Sequence, residues 1–556
     1  MKPDDLIARC GELKKNWQVR NTKIGKWYTF LTLKDELAQE GMESVTSNDP
    51  RTGYNLGRHL MVSASQAHKI EQDGLTAEQI DAASQVEKFT TKRWANHESY
   101  YRNIGKQGFR WQVVSWLLAS GWYAVISVVE DERIWSECWS PVEVFPEYDE
   151  YGLCEVAHIY SVSPKAFMRK LNLMGWTAPK PKGNTTIYDY HAFDDDGNVA
   201  NAVAIQGRWL KPPLVDANLT KIHRLPVFMS PVGGLPDMGS VFIGTEAGKW
   251  QEHFGESVVA TNEEIGKNYN RMLTYTQQLV RDTANPAWLE LTNSDNGILK
   301  AADLFKRGAI FSGAPGESAT PLGRPPIPVE LRQAIMDYQN MMQRGSFPWT
   351  VFGNVQQQIS YLAMASIASS SLSTLGPYVS AYKGMQSDIS NYWFEMMKNT
   401  NMRPYNFKMP KNLPEEFSIE SQLDIEIPGY LVQRATVSRM LNPEFKLPQS
   451  VIFGRMFPEV TNPVKAMAET RKETALNHPK VIIADTVLAV QEQARVMREN
   501  GDVEGASLYE ELAKSLKTEI MQPQQAQTQP AQVNIPREVI PQRELVPPEE
   551  TGMEGR

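Results

Sequence analysis

The chain has 556 residues, 41% hydrophobic and 22% charged, which is an ordinary globular composition and is long enough for several domains. Its formal net charge is −8, whereas a protein that grips DNA over a broad surface carries a basic excess. The chain therefore either does not bind nucleic acid or contacts it without binding it tightly. Its three cysteines (Cys10, Cys138 and Cys154) form no closely spaced framework, which favours a reducing compartment, and no signal peptide is visible.

The N-terminal part of the chain is predicted to be helical. Thr76 and Gln79 have the spacing of a capping box, which predicts a helix starting there. Residues 113–129 form the longest uncharged run, and Ser120-Gly121 interrupts it. We interpret this run as a buried helix end that turns into a buried strand; a single membrane anchor is the alternative, because the run is at the short limit of a bilayer span.

Short apolar runs separated by turn residues begin at about Gly121. WYAVISVV, RIWSECW, VEVFPEY and LCEVAHIYSV predict successive strands. IYDYHAF and VANAVAI flank DDDGN, which predicts a hairpin. The acidic residues of that turn resemble a calcium loop, but Val199 stands where such a loop requires glycine. A hairpin turn is therefore the preferred interpretation.

Two helices with narrow apolar seams follow. The first is predicted from Thr245 to Ala284, where Asn285-Pro286 ends it, and the second starts at Pro328-Val329. Each seam is narrower than the apolar face of a helix in an ordinary core, so each helix is expected to pack on other helices. The seam residues are Ile265, Tyr269, Met272 and Leu279 in the first helix, and Leu331, Ile335, Tyr338 and Met342 in the second. Two such helices around a small insert predict an antiparallel pair with a tip domain.

The remainder alternates between loop and helix. SFPWTVFGNVQQQIS, residues 346–360, predicts a loop with aromatic and amide side chains, and a long helix follows with a break at Gly376-Pro377. FSIESQLDIEIPG alternates strictly and predicts a half-buried strand. The chain is then predicted to be helical up to residue 521. Residues 522–556, rich in Pro, Gln and Glu, predict a disordered tail.

Catalytic motifs are not found. GLPDMGS has a serine where a P-loop requires lysine, and neither HExxH, GxSxG nor a paired CxxC occurs. Cys138, His158 and His191 could hold a buried metal, but their irregular spacing favours packing or surface positions. We expect a protein that is not an enzyme and that uses neither cofactor nor metal.

The order of these parts resembles the portal proteins (head–tail connectors) of tailed bacteriophages. The resemblance covers about residues 50 to 520 and depends on the order of elements rather than on one motif. Local sequence segments are also similar to those of the family. They are RWQVVSWLLASGWYAV leading into WSPVEVFPEYDEYG, and LDIEIPGYLVQRATVSRMLNP followed by FPEVTNPVKAMAE.

The resemblance implies an α+β fold with a helical stem pair, a β-rich wing, a small clip insert and a helical crown, assembled as a ring. It divides the chain into residues 1–110, the N-terminal helical part of the wing; 111–243, the β-rich wing; 244–286, the first stem helix; 287–327, the clip; 328–345, the second stem helix; 346–360, the channel loop; 361–440, a kinked wing helix, strand and following helix; 441–521, the crown; and 522–556, the tail.

The function implied by the resemblance is a dodecameric ring at one capsid vertex, which serves as the channel for DNA packaging and ejection. Implied partners are other copies of the chain, non-specifically passing double-stranded DNA, the terminase large subunit, the major capsid protein, scaffolding protein and head–tail adaptor or tail proteins, with no membrane. The implied location is the portal vertex of the virion, after assembly in the host cytoplasm.

The resemblance also assigns roles to particular residues. The channel loop presents Trp349, Phe352, Asn354, Gln356, Gln357 and Gln358 to DNA. The clip docks its partners through Lys300, Lys306, Arg307 and Arg324, and the seam residues pack the stem helices.

Two other classes of function are considered. One is a minor structural or adaptor protein of the virion that forms no channel. The other is a metal-dependent nuclease built on Glu143, Glu147 and Asp149, although these acids alternate with apolar residues as solvent-facing side chains of a strand do.

Overall fold

The computed structural model describes residues 2–35, 37, 44–71, 74–235, 254–284, 288–293, 298–299, 312–321, 328–347, 373–425, 438, 452, 457 and 463–521. The chain divides into two units, Met1–Pro463 and Val464–Arg556. The described residues combine helices with several antiparallel sheets, so the expected α+β class is confirmed.

The N-terminal region is mainly helical, as predicted. Thr76 caps α4 by accepting a hydrogen bond from the amide of Gln79, whose side chain in turn accepts from the amide of Thr76, so the predicted capping box is confirmed. The elements are α1 (Pro3–Asn16), α2 (Gln18–Leu31), α3 (Asp49–Ser63), β1 (Ser65–Ile70), α4 (Ala77–Asn103) and α5 (Phe109–Ser120).

The β-rich region contains two antiparallel sheets. One has the strand order β3-β2-β9 and the other the order β4-β5-β6-β7-β8. The strands are β2 (Trp122–Val129), β3 (Ile134–Cys138), β4 (Val144–Asp149), β5 (Gly152–Val162), β6 (Thr185–Phe193), β7 (Val199–Ile205), β8 (Arg208–Val215) and β9 (Val227–Pro231), and the helices between them are α6 (Pro164–Met174) and α7 (Ala217–Ile222). The strands predicted from WYAVISVV to VANAVAI are confirmed.

The uncharged run over residues 113–129 is a helix followed by a strand. α5 ends at Gly121, whose φ of 67° is left-handed, and β2 begins at the next residue. Most side chains on both sides of this turn are buried. Among the described residues no helix is long and apolar enough to cross a membrane.

The acidic DDDGN segment is the turn of the β6–β7 hairpin. Asp194 accepts hydrogen bonds from the amides of Asp196 and Asn198, which holds the turn closed. These bonds also lower the pKa of the Asp194 carboxyl. The preferred hairpin interpretation is confirmed.

The first helix of the predicted pair starts later than expected. It is α8 (Glu263–Ala284). One 3-10 turn, Ala260–Asn262, precedes it directly, and residues 254–259 are not helical. The amide of Glu256 donates to the carbonyl of Val232 and the amide of Val258 donates to that of Leu118, so these groups bond to neighbouring elements and not to a preceding helical turn. The predicted start near Thr245 is wrong for this reason; residues 245–253 themselves lie outside the described part.

The tip and the second helix of the pair follow α8. Strands β10 (Trp288–Leu291) and β11 (Ser318–Pro321) form an antiparallel hairpin, and α9 is Val329–Arg344.

A long helix, α10 (Gly376–Thr400), then crosses the core. It begins at Gly376-Pro377, where a break was predicted. The predicted stripe on this helix is buried: Tyr378, Tyr382, Met385, Ile389, Trp393 and Met396. Strand β12 (Ile419–Asp424) follows as predicted, but it pairs with β1, which the sequence did not predict.

Aromatic side chains connect α10 to α4 and β2. The ring centroids of Trp94 and Trp393 are 4.9 Å apart. The indole nitrogen of Trp393 donates to the hydroxyl of Ser127 at 2.7 Å, and that of Trp94 donates to Ser390 at 3.1 Å. The buried rings therefore keep hydrogen-bond partners for their polar atoms, as indoles in cores usually do.

The second unit contains α11 (Pro463–Leu476), α12 (Pro479–Glu499) and α13 (Val503–Met521). α12 and α13 pack against each other, and Ala494, Ala506 and Ala513 are buried. Arg498 pairs with Glu510 at 2.7 Å. The predicted tail, residues 522–556, lies outside the described residues.

Candidate subunit interface on the helical hairpin

α8 and α9 form an antiparallel pair, which we call the helical hairpin. The side-chain amide of Asn262, just before α8, donates to the carbonyl of Met342 near the end of α9 at 2.8 Å. The hydroxyl of Thr261 donates to the carbonyl of Gly345 at 3.0 Å. The start of one helix is thus fixed to the end of the other, while the β10–β11 strands connect their opposite ends.

The two predicted seams are at least partly buried along this hairpin. Tyr269 and Met342 are buried. The other six are half-buried: Ile265, Met272, Leu279, Leu331, Ile335 and Tyr338. α8 and α9 also contact each other, and a role of the seams between subunits stays a prediction.

Charged side chains stabilise the start of α8. Glu263 is buried and pairs with Lys267 one turn later at 3.0 Å and with Lys23 of α2 at 3.7 Å. Burial lowers the pKa of Lys267, but its hydrogen bonds to Glu263 and Glu264 more than offset this, and the pKa is raised. Acidic side chains in a first turn also interact favourably with the helix dipole.

Other parts of the first unit hold α8 in place. The amide of Val45 donates to the hydroxyl of Thr274 at 3.1 Å, and the amide of Ser47 donates to the side chain of Asn270 at 2.8 Å. At Gly266 a Cβ atom would lie 2.5 Å from the ring of Phe30. The N-terminal half of α8 is therefore fixed to the rest of the first unit. Its C-terminal half continues toward the tip strands.

Apolar side chains outside the seams remain exposed on the hairpin. The exposed fractions are 41% for Tyr275, 51% for Val280, 57% for Met336 and 48% for Met341. Tyr275 and Val280 are five residues apart and so lie on different sides of α8. These side chains are available for contacts with other protein surfaces, although single exposed apolar residues are also common on proteins without partners.

The tip hairpin is apolar as well. Trp288, Leu289 and Leu291 of β10 are exposed. Glu290, between them, accepts hydrogen bonds from the amides of Ile298 and Leu299, which fixes the following segment. The exposed tip therefore carries apolar side chains that suit a protein partner.

The residues predicted for the channel loop and for docking at the clip lie outside the part of the chain that the structure describes. All six channel-loop residues (Trp349, Phe352, Asn354, Gln356, Gln357 and Gln358) lie outside the described residues. The same is true of the four clip cations, Lys300, Lys306, Arg307 and Arg324. Their roles stay predictions.

The residues considered for a metal or nuclease site have structural contacts. Glu147 pairs with Arg9 at 2.7 Å, and Asp149 accepts a hydrogen bond from the amide of Tyr151. The ring of His158 stacks on Trp139 with centroids 4.0 Å apart. Within the described ranges no group of three His, Cys, Asp or Glu residues is arranged to hold a metal ion.

Sequence reasoning missed two features of the hairpin. It missed the hydrogen bond from Asn262 to the end of α9, for which the sequence gives no local signal. It also missed the apolar side chains outside the seams, such as Val280 and Met336, although their positions could have been read from the same helical periodicity.

Comparison with known proteins finds distant structural likeness. No protein-family model matches the chain, and no curated protein matches it. The chain is similar to one in the neck of an empty GTA particle computed with C6 symmetry: TM-score 0.40, 12% identity, 76% of this chain and 92% of that chain covered. It is also similar to one in the neck of a native GTA particle computed with C12 symmetry. There the TM-score is 0.32 and the identity 11%, with 72% of this chain and 99% of that chain covered. Both TM-scores lie below 0.5, a level that does not establish a common fold.

Proposed function

We propose that this chain is a portal protein, which forms a dodecameric ring at one capsid vertex and provides the channel for DNA packaging and ejection. The sequence resemblance supports this proposal through its order of elements. The described elements follow a compatible order, with helices, a β-rich region, a helical hairpin with a small tip, a long helix and a helical second unit.

The observation that carries the proposal is that the helical hairpin has apolar residues of two kinds, some buried within the protomer and others exposed. The seam residues are buried or half-buried within the protomer, yet Tyr275, Val280, Met336 and Met341 remain exposed. In a closed ring each subunit contacts a neighbour on both sides through different surfaces. Apolar side chains on several sides of the hairpin suit two such contacts.

The charge of the hairpin suits a passage for DNA. A passage that held phosphates tightly would oppose sliding, because affinity for duplex DNA rises with each neutralised phosphate. α8 and α9 each carry equal numbers of acidic and basic residues, so neither has a net charge. These are Glu263, Glu264 and Asp282 against Lys267, Arg271 and Arg281 in α8, and Glu330 and Asp337 against Arg332 and Arg344 in α9.

The proposed ring is a passage and not an enzyme. A separate ATP-driven terminase would move the DNA and dock at the tip, where adaptor or tail proteins bind later. Exposed Trp288, Leu289 and Leu291 would supply the apolar centre of that contact. The clip cations would surround this centre, and the channel loop would touch passing DNA through aromatic and amide groups.

The test is electron microscopy of the purified full-length chain, alone and with DNA. The proposal predicts rings with twelve-fold symmetry and an axial opening that admits duplex DNA. A ring too narrow for a duplex would favour the adaptor alternative. Magnesium-dependent cleavage of plasmid DNA by the same sample would favour the nuclease alternative.

The channel loop can be tested separately by replacing both Trp349 and Phe352 with alanine. We expect intact rings and less packaged DNA, measured as DNA protected inside particles. Normal packaging by this double variant would remove the proposed role of the loop.

A further inference from the structure

A cleft of about 860 Å³ lies between α4, β3 and α6, away from the helical hairpin. We call it the α4–α6 cleft. Its size falls within the range of pockets that hold sizeable ligands. Its walls combine the end of α4, the edge strand β3 and the end of α6, together with Tyr405.

The cleft is strongly cationic in a chain whose net charge is −8. Among the described residues its one acidic lining residue is Glu137, and its five basic lining residues are Arg93, Lys106, Arg133, Arg169 and Lys170. With Glu130, which pairs with Arg133 from outside the lining, five positive and two negative charges leave a formal charge of +3. A concentration of one sign of charge in a concave surface attracts ligands of the opposite sign.

Several of these cations have no carboxylate to neutralise them. Arg133 pairs with Glu130 at 2.8 Å, and Lys106 approaches Glu137 at 3.9 Å. In the part of the chain that the structure describes, Arg169 and Lys170 have no carboxylate within ion-pair distance. The ammonium of Lys170 donates one hydrogen bond to the hydroxyl of Tyr160 and lies 4.5 Å from the centroid of that ring. The exposed Arg169, and the remaining N–H groups of Lys170, are therefore donors for an acidic ligand.

Arg93 contributes a buried positive charge to the cleft wall. Its guanidinium carbon lies 3.9 Å from the centroid of Tyr405 and 5.3 Å from that of Phe89. The side chain is only 6% exposed, and its Nε atom has no hydrogen-bond partner among the described residues. A buried guanidinium held by aromatic rings is a fixed charge that needs no rearrangement when an anion arrives.

Apolar side chains lie beside these cations. Ile104, Leu173 and Met174 line the cleft and are exposed. A surface for DNA would be built mainly from phosphate contacts, with little use for exposed leucine and methionine. Mixed basic and apolar lining in a concave site instead fits a polypeptide that carries both acidic and apolar residues.

The edge strand itself is already covered. The hydroxyl of Tyr101 donates to the carbonyl of Ser136 at 2.8 Å, and the hydroxyl of Tyr405 donates to that of Ile134 at 3.2 Å. A peptide could not pair with these carbonyls without displacing both tyrosines. Recognition would therefore use side chains in the cleft and not addition of a strand to the sheet.

We propose that the α4–α6 cleft docks an acidic segment of another protein, with carboxylates at Arg169 and Lys170 and apolar side chains on Leu173 and Met174. This docking site is distinct from the proposed ring contacts. It can be present whether or not the chain forms a portal.

The test is fluorescence anisotropy of the full-length protein with a labelled peptide in which glutamate pairs alternate with single leucines. A second peptide has glutamine at every glutamate position, and a labelled DNA duplex is the third probe. We expect saturable binding of the acidic peptide, and binding at least about ten-fold weaker for the glutamine peptide and for the duplex.

Two variants locate the site. Arg169→Glu reverses one unpaired, exposed charge and should weaken binding of the acidic peptide by about ten-fold. Lys182→Glu makes the same charge change on an exposed residue outside the cleft and should leave the affinity within about two-fold of the unmodified protein. Equal loss in both variants, equal binding of the glutamine peptide, tighter binding of the duplex, or no saturable binding would each overturn the proposal.

Discussion

The side chain of Asn262 donates a hydrogen bond to the main-chain carbonyl of Met342 at 2.8 Å and thereby joins the start of α8 to the end of α9. Asn262 is buried, so loss of this bond leaves a buried acceptor without its donor. Together with the bond from Thr261 to Gly345, it fixes the start of α8 against the end of α9.

Asn262→Ala should lower the free energy of unfolding by about 1–3 kcal/mol, because it leaves the carbonyl of Met342 without its buried donor. Urea unfolding followed by circular dichroism measures the change. Asn172→Ala, at an exposed position of α6, is the matched control and should change stability by less than about 0.5 kcal/mol. Equal effects of the two variants would show that this hydrogen bond does not stabilise the hairpin.

Gly121→Ala should be strongly destabilising. The residue has a φ of 67°, and a Cβ atom would lie 2.2 Å from the amide nitrogen of Glu256. Because the obstacle is main chain, a side chain cannot rotate away, and we expect a loss of at least about 3 kcal/mol or failure to fold.

Gly25→Ala is the control for this prediction. Gly25 lies in α2, and apart from its own helix backbone no atom is within 4 Å of the position that a Cβ would take. Alanine should therefore stabilise the helix by up to about 1 kcal/mol. Thermal unfolding of both variants gives the comparison. A stable Gly121→Ala protein would contradict the close approach of residues 254–258 to the α5–β2 turn.

Buried histidine makes stability depend on pH. Burial lowers the pKa of His158 to about 3, whereas an unfolded histidine titrates near pH 6.5. Below pH 6.5 the unfolded chain binds a proton that folded His158 does not, so the free energy of unfolding falls as pH drops toward 3. Above pH 6.5 both states are neutral and the effect disappears.

His158→Phe keeps the ring stacked beside Trp139 and removes the titrating group. As pH falls from 6 to 4, the free energy of unfolding of the unmodified protein should fall more steeply than that of the variant. The difference in slope should be about 1.4 kcal/mol per pH unit. Urea unfolding at pH 8, 6, 5 and 4 measures this slope. An unchanged slope would mean that His158 is not held neutral in the folded protein.

The exposed side of the hairpin can be tested by adding charge. Met336→Glu should reduce the fraction of chain in rings by at least about ten-fold, because a carboxylate in an apolar interface is costly to desolvate. Folding of the protomer should be unaffected, since Met336 is exposed. Size-exclusion chromatography with light scattering measures the distribution.

Leu214→Glu is the matched control, because it makes the same kind of change at an exposed apolar residue of β8. It should leave ring formation unchanged. Intact rings in the Met336→Glu variant would place the subunit interface on another surface.

Local sequence patterns predicted much of the fold. Alternation and turn residues located the strands from β2 to β7, and capping and proline signals located the starts of α4 and α10. These features depend on neighbouring residues, so a sequence read locally contains them.

Features that depend on distant residues were missed. SQAHKI becomes β1 because it pairs with β12, more than 300 residues later in the chain, and its own composition gives only a weak strand signal. The start of α8 was misplaced because the backbone of Glu256 and Val258 bonds to elements far away in the sequence. For the candidate site, periodicity predicted the seams, but only the structure showed which other apolar residues remain exposed.

Native mass spectrometry of the purified full-length protein tests the proposed function most directly. Twelve copies of 62.8 kDa give about 754 kDa for the closed ring that the portal function requires. A dominant species near that mass is the predicted result. A dominant species of 62.8 kDa, unchanged as the protein concentration is raised, would contradict it.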